Sequence, residues 1–188
     1  MKLASRAGRP LWLGALLLLL LLTGGMRERA GAADLKLRIG VQQYGTLVIL
    51  QHRGSLEKRL LAQGIVVQWA EFPAGPQLLE ALAAGSIDFG TGGEAPPVFA
   101  QAAGADLVYV GVEPPAPLGE AILVPKESTI AATADLKGKR IALNKGSNVH
   151  YLLVQALAKA GLKPADIRSV FLPPADARAA FERGSVDA

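Results

Sequence analysis

Gly85-Ser86-Ile87-Asp88 and Gly184-Ser185-Val186-Asp187 are one turn written twice, and what precedes each copy decides the fold. Upstream of the first lie Phe72-Pro73-Ala74 and, earlier, Arg38-Ile39 followed by a glycine turn. Upstream of the second lie Leu172-Pro173-Pro174 and, earlier, Arg140-Ile141 followed by Gly146. The offset between matching residues stays near 100 throughout. Each copy reads strand, helix, strand, helix, then a Gly-Ser-apolar-Asp turn into another strand. Alternating strands and helices imply α/β layering. Two copies imply two similar α/β lobes with a cleft between them, because pockets favour domain interfaces and the carboxyl ends of parallel strands. In the first copy the strand after the turn is present, Ile87–Gly90. The second stops at Ala188 where that strand is expected to begin, so the second lobe is expected to be truncated at its carboxyl end.

Strands are expected at Leu37–Val41, Ile65–Trp69, Ile87–Gly90, Leu107–Val112, Ala121–Val124, Arg140–Leu143 and Val170–Leu172. The clearest helix is Val149–Ala160. Val149, Leu152, Leu153, Leu157 and Ala160 form an apolar stripe at the 3/4 spacing, and Gly161 and Pro164 stop it. A second helix starts at Pro76 and runs to Ala84, before Gly85. Leu47–Leu50 and Leu60–Leu61 read as core faces. The expected division is a first lobe over 34–125 and a partial second lobe over 126–188. Ala134–Lys139 makes the tight turn into the second, and the stiff Glu113-Pro114-Pro115-Ala116-Pro117 segment lines the cleft mouth.

Residues 1–33 read as a cleavable signal peptide. Lys2, Arg6 and Arg9 precede an apolar run from Leu11 to Leu22, and Ala30-Gly31-Ala32 offers a small-residue exit, with cleavage after Ala32 or Ala33. That run is shorter than the ~20 residues a membrane-spanning helix needs. Five of the 20 Lys and Arg residues and one of the 16 Asp and Glu residues lie in this leader, leaving 15 of each sign. The excess positive charge therefore belongs to the leader, and no nucleic-acid partner is implied. The chain has no cysteine, which excludes disulfides, thiol catalysis and a lipid-modified cysteine. An exported periplasmic protein fits these features.

Three stretches fall where strands end. Gln42-Gln43-Tyr44-Gly45-Thr46 combines a glycine that admits a ligand to the backbone with a threonine that either caps the next helix or meets the ligand. Gly90-Thr91-Gly92-Gly93-Glu94-Ala95-Pro96-Pro97 exposes backbone N–H groups through three glycines. Asn144-Lys145-Gly146-Ser147-Asn148 opens the best helix. Free amides and the helix dipole there favour an anion, while Ser147 or Asn148 is equally suited to cap the helix.

Enzymatic readings are weaker. Gly90-x-Gly92-x-x-Ala95 followed by Glu113 superficially fits a dinucleotide fingerprint, but Pro96-Pro97 and Ala105-Asp106 leave room for only a short helix. No cofactor is implied. His52 and His150 have no partners at metal-ligand spacing, and no serine sits in a nucleophile elbow.

The chain resembles the aliphatic sulfonate-binding proteins of ABC importers. The resemblance rests on Tyr-Gly-Thr at 44–46, Glu-Phe-Pro-Ala-Gly-Pro-Gln-Leu-Leu-Glu at 71–80 and Gly-Ser-Ile-Asp-Phe-Gly at 85–90. It continues through Pro-Pro-Val-Phe-Ala-Gln-Ala-Ala-Gly-Ala-Asp at 96–106, Glu-Pro-Pro-Ala-Pro at 113–117, Leu-Asn-Lys-Gly-Ser-Asn-Val-His-Tyr-Leu-Leu at 143–153 and Pro-Pro-Ala-Asp-Ala-Arg-Ala-Ala-Phe at 173–181. It implies a type-II periplasmic binding-protein fold that closes on a small anionic solute, an alkanesulfonate, and delivers it to an inner-membrane permease with its ATPase. The same scaffold suits taurine, nitrate or a sulfate ester. Ligand-site candidates are Tyr44, Gly45, Thr46, Gly93, Glu94, Ser147, Asn148, His150 and Asp176, with no catalytic or metal-binding residue. One departure stands out. The family usually has Thr-Gly-Glu-Thr before the Pro-Pro pair, where this chain has Gly92-Gly93-Glu94-Ala95. A carboxylate at Glu94 repels a sulfonate, but suits backbone groups, water or the positive part of a zwitterion.

Overall fold

A computed structural model of the protein describes residues 35–188; the leader read in 1–33 lies outside the described residues. The first half of the chain runs β1 (Leu35–Val41), α1 (Thr46–Arg53), α2 (Ser55–Leu61), β2 (Ile65–Glu71), α3 (Gly75–Ala83), β3 (Phe89–Gly90) and α4 (Ala95–Ala102). The second half runs β4 (Arg140–Leu143), α5 (Asn148–Lys159), β5 (Arg168–Phe171) and α6 (Pro174–Glu182). Sheet order is β2-β1-β3 in the first half and β4-β5 in the second.

The repeat in the sequence is a repeat in space. Leaving β2, Phe72 N–H donates to Val41 O at 2.8 Å; leaving β5, Leu172 N–H donates to Leu143 O at 3.1 Å. Strands thus end together in each sheet, as parallel neighbours do. α3 closes with Ser86 N–H on Ala81 O at 2.8 Å, and α6 with Ser185 N–H on Ala180 O at 2.9 Å. Gly85 and Gly184 take φ 68° and 69° at these ends, a left-handed conformation that side chains resist. Asp88 N–H then meets Arg38 O, and Asp187 N–H meets Arg140 O, both at 2.8 Å. β1 pairs parallel with β3 through Ile39↔Phe89 and Gly40↔Gly90. On the corresponding edge of β4, Ala142 N–H donates to Ala188 O at 2.9 Å.

Two acid–base clasps lock these turns. Arg38 reaches Asp88 through Nη2–Oδ1 at 2.5 Å and Nε–Oδ2 at 3.0 Å, with Nη1 on Gly85 O at 2.6 Å. Arg140 reaches Asp187 through Nη2–Oδ1 at 2.9 Å and Nε–Oδ2 at 3.3 Å, with Nη2 on Gly184 O at 3.3 Å. The side-chain bonds to arginine, then its backbone N–H, hold both carboxyls below the usual range, Asp187 at about 2.

Each half has its own apolar interior. Ile39, Val41 and Leu47 form one cluster of the first half, and Leu78, Leu79 and Ile87 another. Leu136, Ile141, Leu143, Leu153, Leu157 and Ile167 fill the second. Of the stripe on α5, Leu153 and Leu157 are buried while Val149 stands at the exposed end. Leu47 is buried as expected. Ile49 and Leu61 are instead 56% and 65% exposed, so α1 and α2 bury a narrower face than their composition suggests.

Two expected strands are absent. Neither Leu107–Val112 nor Ala121–Val124 forms a ladder, and Val108, Val110 and Val112 are 83%, 75% and 91% exposed. Alternation and β-branching make a segment fit for a sheet, but a strand exists only where a neighbour accepts its backbone hydrogen bonds, and no strand lies beside them among the described residues. The turn before β4 is as expected: a short 3₁₀ segment at Thr133–Leu136 leads into Lys139 N–H on Leu136 O at 3.0 Å.

Candidate functional site

Three helices begin at one place between the halves, and small residues let them meet. α3 starts at Gly75, where an added Cβ would lie 2.8 Å from Cγ of Pro96 in the first turn of α4. The loop before α5 approaches α3 at Gly146, whose Cβ would stand 3.8 Å from Cγ of Pro76. The loop before α4 approaches α5 at Gly93, where a Cβ would fall 2.7 Å from Cγ of Asn148. The amino ends of α3, α4 and α5 therefore converge, and each carries partial positive charge from aligned peptide dipoles. Proline occupies the first turn of α3 and of α4, removing N–H groups there. α5 has no such proline. The amides of Asn148 and Val149 have no protein acceptor among the described residues, so the first turn of α5 is able to donate to an anion.

The loop entering α5 is built to hold that end still. Ser147 is the residue before the helix, yet its hydroxyl does not cap it. The hydroxyl donates to Asn144 O at 2.7 Å, and Ser147 is only 4% exposed. The capping alternative for Ser147 thus fails: its hydroxyl is turned back into its own loop. His150 accepts from Gly146 N–H through Nδ1 at 3.2 Å, and its ring meets Phe171 edge-on with centroids 5.8 Å apart. Lys145 places its ammonium 5.6 Å from the centre of the same Phe171 ring. Asn144 is 9% exposed, and its side-chain oxygen has no partner.

Across from this loop, the segment after β1 makes a second polar array. Gln42 is 4% exposed and bridges Thr91 O, to which its amide donates at 2.8 Å, and the Tyr44 hydroxyl, which donates to its carbonyl at 2.8 Å. Tyr44 shows 58% of its surface, but its hydroxyl end is packed. Burial, then the charges of Glu120 and Glu94, raise that hydroxyl's pKa above its usual value. Burial, then Glu94, also raises the Glu120 carboxyl. Gly45 precedes α1 with φ 92° and open space around it. Thr46 does not cap α1 either; it lies inside the helix and donates to Glu113 Oε1 at 2.8 Å, tying the Glu113–Pro117 segment to α1.

The structure therefore brings Gly93 against Asn148, sets Ser147 and His150 on either side of the start of α5, and puts Glu94 into the electrostatic field of Tyr44. Asp176 is exposed in the first turn of α6 and hydrogen-bonds to none of the other candidates. Gln42, Asn144 and Glu120 were not among the sequence candidates. Gln42 and Asn144 carried a signal, since each follows the first strand of its repeat at the same position. Glu120 carried none.

A sequence profile described as "NMT1/THI5 like" matches residues 61–188. The chain belongs to the NMT1/THI5-like family. Within reach of it is a protein of Escherichia coli (strain K12) named for binding aliphatic sulfonates, 58% identical over 153 residues, which cover 81% of this chain and 47% of that protein. The taurine-binding periplasmic protein of the same organism is 32% identical over 158 residues, covering 79% and 49%. Among solved structures, the alkanesulfonate-binding protein of Xanthomonas axonopodis pv. citri bound to MOPS matches with a TM-score of 0.75 and 56% identity. That match covers 81% of this chain and 52% of the other. The type-II binding-protein fold implied by the motifs is thus the fold of this family member. The chain spans about half the length of the curated relatives it matches.

Proposed function

We propose that this protein is the solute-binding component of an ABC importer and that its ligand is an aliphatic sulfonate. The observation that carries the reading is the start of α5, where two unpartnered amides face the place at which three helix amino ends meet. A sulfonate stays charged at all physiological pH values, so a site for it must replace hydration with fixed donors rather than wait for a proton. Backbone amides and dipoles do this without a buried counter-charge. The relatives are binding proteins by name, which supports capture without turnover. In this reading no residue is catalytic, and no cofactor takes part.

The rest of the proposal follows the same line. Residues 1–33 direct export and are cleaved. The mature chain works in the periplasm with lobes divided near residue 125, and it hands its solute to an inner-membrane permease and its ATPase. Ligand contacts fall on Tyr44, Gly45, Thr46, Gly93, Glu94, Ser147, Asn148 and His150, with Asp176 at the periphery.

A second reading has its own support. Burial, then the charge of Glu94, raises the Glu120 carboxyl, and two such carboxyls suit the ammonium of taurine better than a bare alkyl tail. Titration calorimetry of the full chain against ethanesulfonate, taurine and nitrate separates the two. Tightest binding of ethanesulfonate supports the first reading, and tightest binding of taurine the second. Binding of none, by a protein with a cooperative melt, rejects both.

A further inference from the structure

Gly93 and Asn148 meet where the two halves approach each other. An ideal Cβ on Gly93 would lie 2.7 Å from Cγ, 2.9 Å from Cβ and 2.9 Å from Oδ1 of Asn148. Contacts below 3.0 Å of this kind are not made by real side chains, and relief depends on what can move. Asn148 has little freedom to give way. It is the first residue of α5, and one of the clashing atoms is its own Cβ, fixed by the helix backbone. The neighbouring glycine differs: a Cβ on Gly92 would meet only Leu79 Cδ2 at 3.6 Å, an ordinary packing distance. The requirement for no side chain is therefore local to position 93.

We infer that Gly93 is a positioning residue whose missing side chain forms the socket for Asn148 and sets how near the two halves come. Any side chain at 93 holds α5 away from α3 and α4. The amides of Asn148 and Val149 then no longer share the space faced by the other two helix ends. What the missing side chain of Gly93 sets is the spacing of the halves, which is separate from any contact its backbone makes with the ligand. Backbone flexibility does not explain the glycine, because its φ is not among the left-handed ones. The spacing claim stands on the geometry alone, and only its consequence for affinity rests on the proposed function.

The chain has no cysteine, so spin labels can be placed without background. Lys58→Cys on α2 and Lys159→Cys on α5 put one exposed label in each half. Pulsed dipolar spectroscopy of the full chain without ligand reads their separation. Gly93→Ala is expected to lengthen it, Gly92→Ala to leave it unchanged, and the double variant Gly93→Ala/Asn148→Gly to restore it. Asn148→Phe builds the same clash from the helix side and must lengthen it too, which keeps the test open if Gly93→Ala fails to fold. Unchanged spacing in both clash variants, or no restoration in the double variant, overturns the inference. In calorimetry with ethanesulfonate, Gly93→Ala is expected to bind about tenfold or more weakly. Loss of ethanesulfonate binding by the parent protein counts against the proposed function, while the label distances still decide the role of Gly93.

Discussion

Arg140 and Asp187 stand to one another as Arg38 and Asp88 do, down to the atoms used: Nη2 on Oδ1, Nε on Oδ2 and the backbone N–H on Oδ2. A third contact of each guanidinium holds the carbonyl of the turn glycine. The arginine sits on the first strand of its repeat and the aspartate just past the helix that closes the repeat, α3 or α6. Each clasp therefore ties the beginning of a repeat to its closing turn.

These clasps carry a pH dependence whose sign is fixed. Asp187 is held at about 2, below the 3.8 of a free aspartate, mainly by its bonds to Arg140. A depressed carboxyl stabilises the fold above its ordinary value, and that contribution disappears as pH falls through the folded one. Melting temperature is expected to fall between about pH 5 and pH 2. Asp187→Asn is expected to flatten the slope over that window and lower the melt at pH 7. An identical slope in Asp187→Asn would assign the acid sensitivity to other carboxylates.

Leu78 is 0% exposed, on the face of α3 turned to the sheet. Leu78→Ala is expected to destabilise the first half by about 2–5 kcal/mol, the range for emptying a packed leucine site. Urea unfolding followed by fluorescence checks this, since Trp69 packs in the neighbouring cluster.

The paired strand glycines Gly40 and Gly90 make room for that leucine. A Cβ on Gly90 would come 2.7 Å from Leu78 Cδ2, and one on Gly40 would come 2.6 Å from Ile87 Cδ1. Overpacking costs typically about 1–3 kcal/mol, so Gly90→Ala is expected to lose that much by denaturant titration. Combining it with Leu78→Ala should cost less than the sum, because the new methyl occupies part of the space the leucine leaves.

Ser147→Ala separates loop order from ligand contact. Loss of the bond to Asn144 O is expected to cost about 1 kcal/mol of stability, read from the thermal melt. If the hydroxyl acts only within its loop, ethanesulfonate affinity measured by calorimetry changes little. If it turns to the ligand on binding, affinity falls about tenfold or more, as for a hydrogen bond to a charged group.

How much of this was legible depended on whether the signal lay in one segment or between two. The repeat was readable because each Gly-Ser-apolar-Asp turn and its arginine partner obey the same local demands. β4 was placed to the residue, and α5 to within one. Leu107–Val112 misled because alternation reports fitness for a sheet and not the presence of a neighbour. At the site, Gly93 was read as backbone exposed to a ligand, but the reason for its size is Asn148 in the other half. Glu120 acts through its charge on Tyr44 from a loop, and nothing in the periodicity of Leu118–Val124 points there. Thr46 and Ser147 had cap-like positions, yet their hydroxyls found Glu113 and Asn144 O instead, competition that composition cannot resolve.

The clasps also bear on how the chain finds its fold. Arg38 and Asp88 are 50 residues apart, and Arg140 and Asp187 are 47 apart. Loop-closure entropy grows only with the logarithm of length, at roughly 0.6 kcal/mol per doubling, so the two closures face nearly the same entropic barrier. Chain geometry therefore gives neither half a head start. Precedence falls to local helix strength, and α5, with 12 residues against 7 to 9 for the other described α-helices, makes the second half the favoured place for folding to nucleate.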